Sequence, residues 1–369
     1  MSHSCADADW VAHAMRVIPG GSLTRSKKVF RRFASRAEGA IVYDTDDRAY
    51  IDCLCAMGAI SLGYRPPPQQ GGVFSFPHHL EVGAAEAVLQ DVAPWASWVR
   101  FTKTGSEATH AAYRIAKAAT GRDTVLRLKG SYHGWHAWCS ESDGTLLVDI
   151  DPDTVIDDVG LYWSEREPAA VIVEPPRFQS MSVNWLQRIR ALCDQAGALL
   201  VFDSMIWGGR HALGGASAYY GVIPDLECFG KALGNGSAIS FVVGTERTRE
   251  HGEIPSGTFS GEVSGLAAVV STLQAYRAEP VVDTIWARGR QLQDGLRAII
   301  PSSLGVVDGH PPCQRVQFVN PVHAQQFSDA MLERGVIWHP QVVLTMAAHT
   351  PAHIDHVLAA AAESVGVLA

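Results

Sequence analysis

Seven cysteines in 369 residues, an odd number in scattered positions, leave no basis for a disulfide framework. Cys53-Leu54-Cys55 also lacks the two-residue gap of a redox or zinc motif, so a reducing, cytoplasmic setting is the expectation. Charge is sparse as well: 18% of residues are Asp, Glu, Lys or Arg, and the formal net charge is -8. An acidic chain has no bulk attraction for nucleic acid or an anionic membrane, and the one basic cluster, Lys27-Lys28 with Arg31-Arg32, reads as a solvated face. Met1 to Trp10 hold Asp7 and Asp9 and no long apolar core, so neither a signal peptide nor a membrane span is expected. There is no internal repeat and no low-complexity tract.

What the chain does have is apolar bulk. Hydrophobic residues make up 47% of it, and its length exceeds one ordinary domain, so a large domain with a smaller companion is expected. From about residue 50 to 250, short apolar runs such as Ala169-Ala170-Val171-Ile172-Val173 and Ile239-Ser240-Phe241-Val242-Val243 alternate with helical patterns. That alternation predicts an α/β fold around a mostly parallel sheet. Residues 1–45 read as an arm of the small domain, with a helix near Ala6 to Val17 and a strand near Ala40 to Tyr43. The large domain is expected over 46–262. An α+β small domain follows over 263–369, with a helix from Gly265 to Arg277, a strand at Arg315 to Val319 and a terminal helix from Pro351 to Val365.

The most telling pair of residues is Asp203 and Lys231. Asp203 ends the apolar run Ala198-Leu199-Leu200-Val201-Phe202, the pattern of a buried parallel strand delivering a side chain at its C-terminal edge, where open α/β sheets bind ligands. Lys231 follows a second strand-like piece, Pro224 to Gly230, and precedes a segment too glycine-rich for a regular helix. A lysine there can be desolvated and its amine freed to attack a carbonyl. A buried acid beside an activated amine points to pyridoxal phosphate, whose aldehyde condenses with lysine and whose ring nitrogen needs an acid partner.

Two further segments supply the rest of such a site. Thr104-Gly105-Ser106-Glu107-Ala108 is a small-residue turn directly before a helix striped by Ala111, Ala112, Ile115, Ala116 and Ala119. Its start offers free N–H groups and a positive dipole end to a phosphate. Ser106 as the cap would need Glu or Gln where Thr109 stands, so no capping box is expected there. Gly130 to Trp138 form an aromatic loop in which Tyr132 is suited to stack on a flat ring. His133 and His136 in that loop lack an acidic or cysteine ligand at metal-site spacing, so no metal is expected.

In order along the chain, Pro19-Gly20-Gly21, Gly39 to Asp44 with Tyr50-Ile51-Asp52, Leu62-Gly63-Tyr64, Gly105 to Ala108, Tyr132-His133-Gly134, Glu174-Pro175, Asp203 to Arg210, Pro224-Asp225, Gly230-Lys231 and Gly257 to Gly261 together resemble the class III aminotransferases. Within that class the resemblance is greatest to glutamate-1-semialdehyde aminomutase and its relatives, and it covers nearly the whole chain. It implies the fold type I architecture of pyridoxal-phosphate transferases, in a homodimer. It further implies that Lys231 forms the internal aldimine, that Asp203 pairs with the ring nitrogen and that Tyr132 stacks on the ring. Gly105 and Ser106 would hold the phosphate, joined by Thr258 from the other subunit, and His133, Glu174 and Met205 would complete the cofactor's surroundings. Glu174 reads equally as a strand-ending acid that caps a loop.

The chain also departs from the family's pattern. Ser204 stands where the family has glutamate after the ring aspartate, and Gly261-Glu262-Val263 replaces Gly-Asn-Pro after the phosphate-binding threonine. Glu262 is a candidate for substrate contact or a solvated loop acid. Arg25 falls near the carboxylate-binding arginine of the aminomutases, with Arg210 as the other candidate. Prolines in the 65–72 segment exclude the helix that relatives carry before Phe76. The activity expected is amino transfer or an intramolecular amino shift on a small amino compound. A decarboxylase or racemase on the same scaffold is the alternative, and a catalytically silent binding dimer is the alternative of another class.

Overall fold

The structure is a computed structural model that describes residues 6–66, 71–139, 147–150 and 167–368; for residues 6–8, 25 and 147–150 the backbone alone is described. Pro67 to Gln70, the middle of the proline segment noted above, lie outside the described residues. The chain divides into two compact units, Met1–Arg65 with Asp283–Ala369, and Pro66–Val282. No helix among the described residues is long and apolar enough to cross a membrane.

The first unit begins with α1 (Ala6–Val17) and an antiparallel ribbon of β1 (Ala34–Glu38), β2 (Ile41–Asp44) and β3 (Ala49–Asp52). After β3 the backbone makes a left-handed turn. Cys55, Ala56 and Met57 have φ of 51°, 49° and 62°. Such a turn costs L-residues about 1–2 kcal/mol each. Asp52 offsets the cost, because its carboxylate accepts the amides of Leu54 (2.8 Å), Cys55 (3.0 Å) and Ala56 (3.2 Å) and the Tyr64 hydroxyl (2.6 Å).

The second unit is a three-layer α/β structure. Its elements are α2 (His79–Asp91), β4 (Trp98–Thr102), α3 (Gly105–Thr120), β5 (Val125–Leu128), β6 (Leu147–Ile150), β7 (Ala170–Val173), α4 (Val183–Ala196), β8 (Leu199–Asp203), α5 (Gly215–Tyr220), β9 (Leu226–Phe229), β10 (Ser240–Gly244) and α6 (Val263–Ala278). The sheet order is β4-β10-β9-β8-β7-β5-β6. The run β9-β8-β7-β5-β6 is parallel, and β10 is antiparallel to both its neighbours. Every residue of β7 and β8 is buried, which is why they read as continuous apolar runs. One face packs on α3 through Ala108, Ala111, Ala112 and Ile115, and the other on α2 and α6 through Ala84, Val88, Leu266 and Val269.

The chain then passes through α7 (Val281–Ile299) and returns to the first unit with β11 (Gly305–His310), β12 (Cys313–Phe318), α8 (Pro321–Glu333), β13 (Val336–Ile337), β14 (Val343–Leu344) and α9 (Pro351–Val365). β13 joins β3 in parallel, and β11, β12 and β14 form a separate three-stranded sheet. Leu292, Leu296, Phe327, Met331, Trp338, Ile354 and Val357 build the core of this unit. Cys53, Cys55, Cys139, Cys193, Cys228 and Cys313 are all buried. The thiol of Cys228 donates to the Ala108 carbonyl of α3 at 3.4 Å.

Candidate active site

The site is assembled in the second unit at the C-terminal ends of β8 and β9. Asp203 is the last residue of β8 and is 1% exposed. Its Oδ1 accepts the Met205 amide at 3.1 Å, and its Oδ2 lies 2.8 Å from His133 Nδ1. The other ring nitrogen of His133 lies 2.9 Å from Ser131 Oγ, and the Ser131 hydroxyl donates to the Leu128 carbonyl at 2.6 Å. Leu128, Ser131, His133 and Asp203 thus form one chain of hydrogen bonds that holds the imidazole from both of its nitrogens. Each oxygen of Asp203 keeps a lone pair for another donor.

The aromatic loop that carries His133 is tied down at both ends. Glu174, just after β7, accepts the Tyr132 amide at 2.7 Å and the Arg177 guanidinium at 3.1 Å. Its geometry is that of a loop cap. At the far end, Gly134 (φ 107°) leaves no room for a side chain, because a Cβ there would collide with Ser106. The Thr109 hydroxyl lies 2.5 Å from the His133 carbonyl. His133 is buried behind Asp203, while Tyr132 is 57% exposed.

The start of α3 differs from the sequence expectation in one respect. A capping box is present, but Thr104 is the cap, one turn position before the helix. Thr104 Oγ1 accepts the Glu107 amide (3.2 Å), and the Glu107 carboxylate accepts the amides of Lys103 (2.8 Å) and Thr104 (2.9 Å). The difference arises because the helix is capped two residues before Ser106, so Glu107 rather than Thr109 falls at the position that closes the box. Among the described residues, the amides of Gly105 and Ser106 then make no hydrogen bond, and they point outward at the positive end of a sixteen-residue helix.

Met205 links these pieces. A Cβ at Gly105 would come 2.9 Å from Met205 Sδ, and one at Gly230 would come 3.0 Å from it. Lys231 follows Gly230 with φ of 44°, a left-handed backbone that L-residues hold only when surrounding structure enforces it. In the β8–β9 register Asp203 lies opposite Cys228, so Lys231 leaves the adjacent strand three positions later.

Other candidates stand elsewhere. Thr258 is exposed and lines a cleft of about 220 Å³ with Lys103, Glu107, His110 and Arg114. Glu262 caps α6: it accepts the amides of Ser264 (2.9 Å) and Gly265 (3.0 Å) and the Ser264 hydroxyl, and it pairs with Lys103 at 2.9 Å. Burial pushes its carboxyl up, but bonds from the Ser264 hydroxyl, Lys103 and the two amides outweigh that and hold it at about 2. Arg25 opens a tight turn in the first unit, and its side chain lies outside the described residues. Arg210 is fully buried. Among the described residues no cluster of three or more His, Cys, Asp or Glu is placed to hold a metal ion.

Unpaired amides at a helix start, a buried acid held by a histidine and a lysine in enforced backbone fit the phosphate, ring nitrogen and aldehyde of pyridoxal phosphate. Fold and site together define a pyridoxal-phosphate-dependent transferase of fold type I. The chain belongs to the class III aminotransferase family, whose sequence profile (Aminotransferase class-III) matches residues 22–143 and 155–361. It is 33% identical to the aminopentol aminotransferase of Sphingopyxis macrogoltabida over 81% of this chain and 78% of that one. It is 28% identical to the glutamate-1-semialdehyde 2,1-aminomutase of Archaeoglobus fulgidus over 96% and 98%. Among solved structures, the pyridoxal-phosphate form of the FumI protein of Sphingopyxis sp. MTA144 superposes with a TM-score of 0.91 at 29% identity, covering 98% of this chain and 95% of that one. The protein is thus a pyridoxal-phosphate-dependent aminotransferase or aminomutase acting on small amino compounds.

Proposed function

We propose that this chain is a homodimeric, cytoplasmic aminotransferase in which Lys231 anchors the cofactor and Asp203 holds a proton at its ring nitrogen. Bound pyridoxal phosphate supplies an aldehyde for the substrate amine and a ring that takes up the electron pair left when a bond at the amine-bearing carbon breaks. The Lys231 amine would take the proton from that carbon and return it at a different atom. Gly105 and Ser106 donate their amides to the phosphate, and Thr258 completes that contact from the partner subunit. Tyr132 covers one ring face, Met205 packs beneath the site, and Glu174 holds the loop that carries Tyr132.

The observation that carries this reading is Asp203, buried at the C-terminal end of β8 and held by His133. Amino transfer depends on charge spreading through the whole ring, and a buried carboxylate held in place by His133 would keep the ring nitrogen protonated while it does so. Racemisation returns the proton to the carbon that lost it and makes a smaller demand on that nitrogen. Identity to the aminopentol aminotransferase extends the candidate substrates to amines of amino alcohols as well as amino acids.

The test is a single turnover of holoenzyme with an amino donor and no acceptor. Conversion of the cofactor to its amino form, with release of the matching carbonyl compound, is the expected result. Release of carbon dioxide, or scrambled stereochemistry with the cofactor unchanged, would overturn it, and a positional isomer of the donor would favour the amino shift.

A further inference from the structure

Glu227 is a carboxylate that the chemistry above does not use. It lies on β9, fully buried, and its Oε1 accepts the Ser204 hydroxyl at 2.5 Å and the Ser217 amide at 3.3 Å. Among the described residues no donor reaches its Oε2. A buried, half-satisfied acid is expensive, and a fold retains one only where something offsets the cost.

What Glu227 holds is the residue after Asp203. Ser204 is pinned by its amide to the Cys228 carbonyl (2.9 Å), by its hydroxyl to Glu227, by the Ala216 amide to its Oγ (2.8 Å) and by the Gly208 amide to its carbonyl (2.8 Å). The Ser204 proton can go only to Glu227, since the Ala216 amide already occupies the oxygen as a donor. Gly215 seals the pair: a Cβ there would lie 2.5 Å from Ser204 Oγ and 2.7 Å from Glu227 Oε1. Phe202 pairs with Glu227 across the strands, so Glu227 and Ser204 share one face of the sheet, and Asp203 points from the other. Glu227 therefore reaches the site only through Ser204.

We infer that Glu227 is a positioning residue for Asp203: by locking Ser204 from behind, it fixes the turn Asp203-Ser204-Met205 that aims the acid and seats Met205 against Gly105. Ser204 stands where the resembled family carries its own glutamate, and here a carboxylate on the same face is delivered from the neighbouring strand instead. The inference rests on the assignment of Asp203 to the cofactor's ring nitrogen.

Three readouts test it: affinity of the cofactor-free protein for pyridoxal phosphate, the pH midpoint of the bound cofactor's visible absorbance, and the melting temperature of the cofactor-free protein. Ser204→Ala and Glu227→Ala are expected to weaken affinity about tenfold and to move the midpoint, the loss of one buried hydrogen bond to a charged group. Glu227→Gln, whose amide oxygen still accepts the Ser204 proton, is expected to recover both. A lowered melting temperature with an unmoved midpoint in Ser204→Ala and Glu227→Ala would reduce Glu227 to packing and overturn the inference. Should Glu227→Ala fail to fold, Ser204→Ala decides alone, since it removes a single oxygen. Asp203→Asn separates the two failures: if it leaves the midpoint in place, the assignment of Asp203 falls. If it moves the midpoint and Ser204→Ala does not, only the role of Glu227 falls.

Discussion

At the scale of single residues, the site works by holding each side chain from behind. Ser131 illustrates this, because its hydroxyl meets Nε2 of His133, whose Nδ1 meets Asp203. Ser131→Ala leaves a buried ring nitrogen of His133 without that partner, a cost of about 1–3 kcal/mol, and is expected to lower turnover about tenfold while Ser131→Thr restores it. Steady-state kinetics with the same donor for both variants checks this. Glu227 gives a second prediction. Burial is the main cause that pushes its carboxyl from 4.5 up to about 7, against hydrogen bonds from Ser204, Ser217 and Ala216 that pull it down. The folded chain holds this proton more tightly than the unfolded one, so the contribution of Glu227 to stability is greatest below about 4.5, falls as pH rises to about 7, and then levels off. The full change is about 3 kcal/mol. Glu227→Gln has no such proton, and urea unfolding from pH 4.5 to 7.5 is expected to show its advantage over the parent growing across that window.

At the scale of elements, the chain's own pattern disclosed most of the frame. The apolar runs of β7 and β8, the alanine stripe of α3 and the proline-led start of α9 all follow from period and breaker residues that lie next to one another. α7 escaped notice because Gly289 and Gly295 interrupt its stripe. Its buried residues Ile285, Leu292 and Leu296 keep helical spacing, and Gly289 is where the Pro311 carbonyl packs against the backbone. The pairing of His133 with Asp203 spans seventy positions, and no local pattern encodes it. The α3 cap is legible in principle, since Thr104 and Glu107 are three apart, but Ser106 is an equally good capping residue type and offers a competing frame. Thr104→Ala is expected to cost about 1 kcal/mol in thermal unfolding and to weaken phosphate-dependent cofactor binding, because the two free amides lose their fixed aim. Asp52→Ala, which releases the left-handed turn at 55–57, is expected to destabilise the fold by about 3 kcal/mol or more in urea unfolding, with four donors left unmet.

At the scale of the whole molecule, the proposed dimer makes a prediction that no single chain can satisfy. If Thr258 serves the partner's site, a Lys231→Ala subunit and a Thr258→Asp subunit are each inactive as homodimers, yet their heterodimer contains one intact site. Mixing the two after mild unfolding and reassembly is expected to restore activity to about a quarter of the parent's, the product of half the dimers being mixed and half their sites intact. No recovery would place Thr258 in its own subunit's site. The thiol of Cys228, pressed against the Ala108 carbonyl beneath α3, has a consequence for measurement. A maleimide can reach it only when α3, the proposed phosphate-binding helix, lifts from the sheet, so its labelling rate is a built-in clock for breathing of that region. Added cofactor should slow the clock.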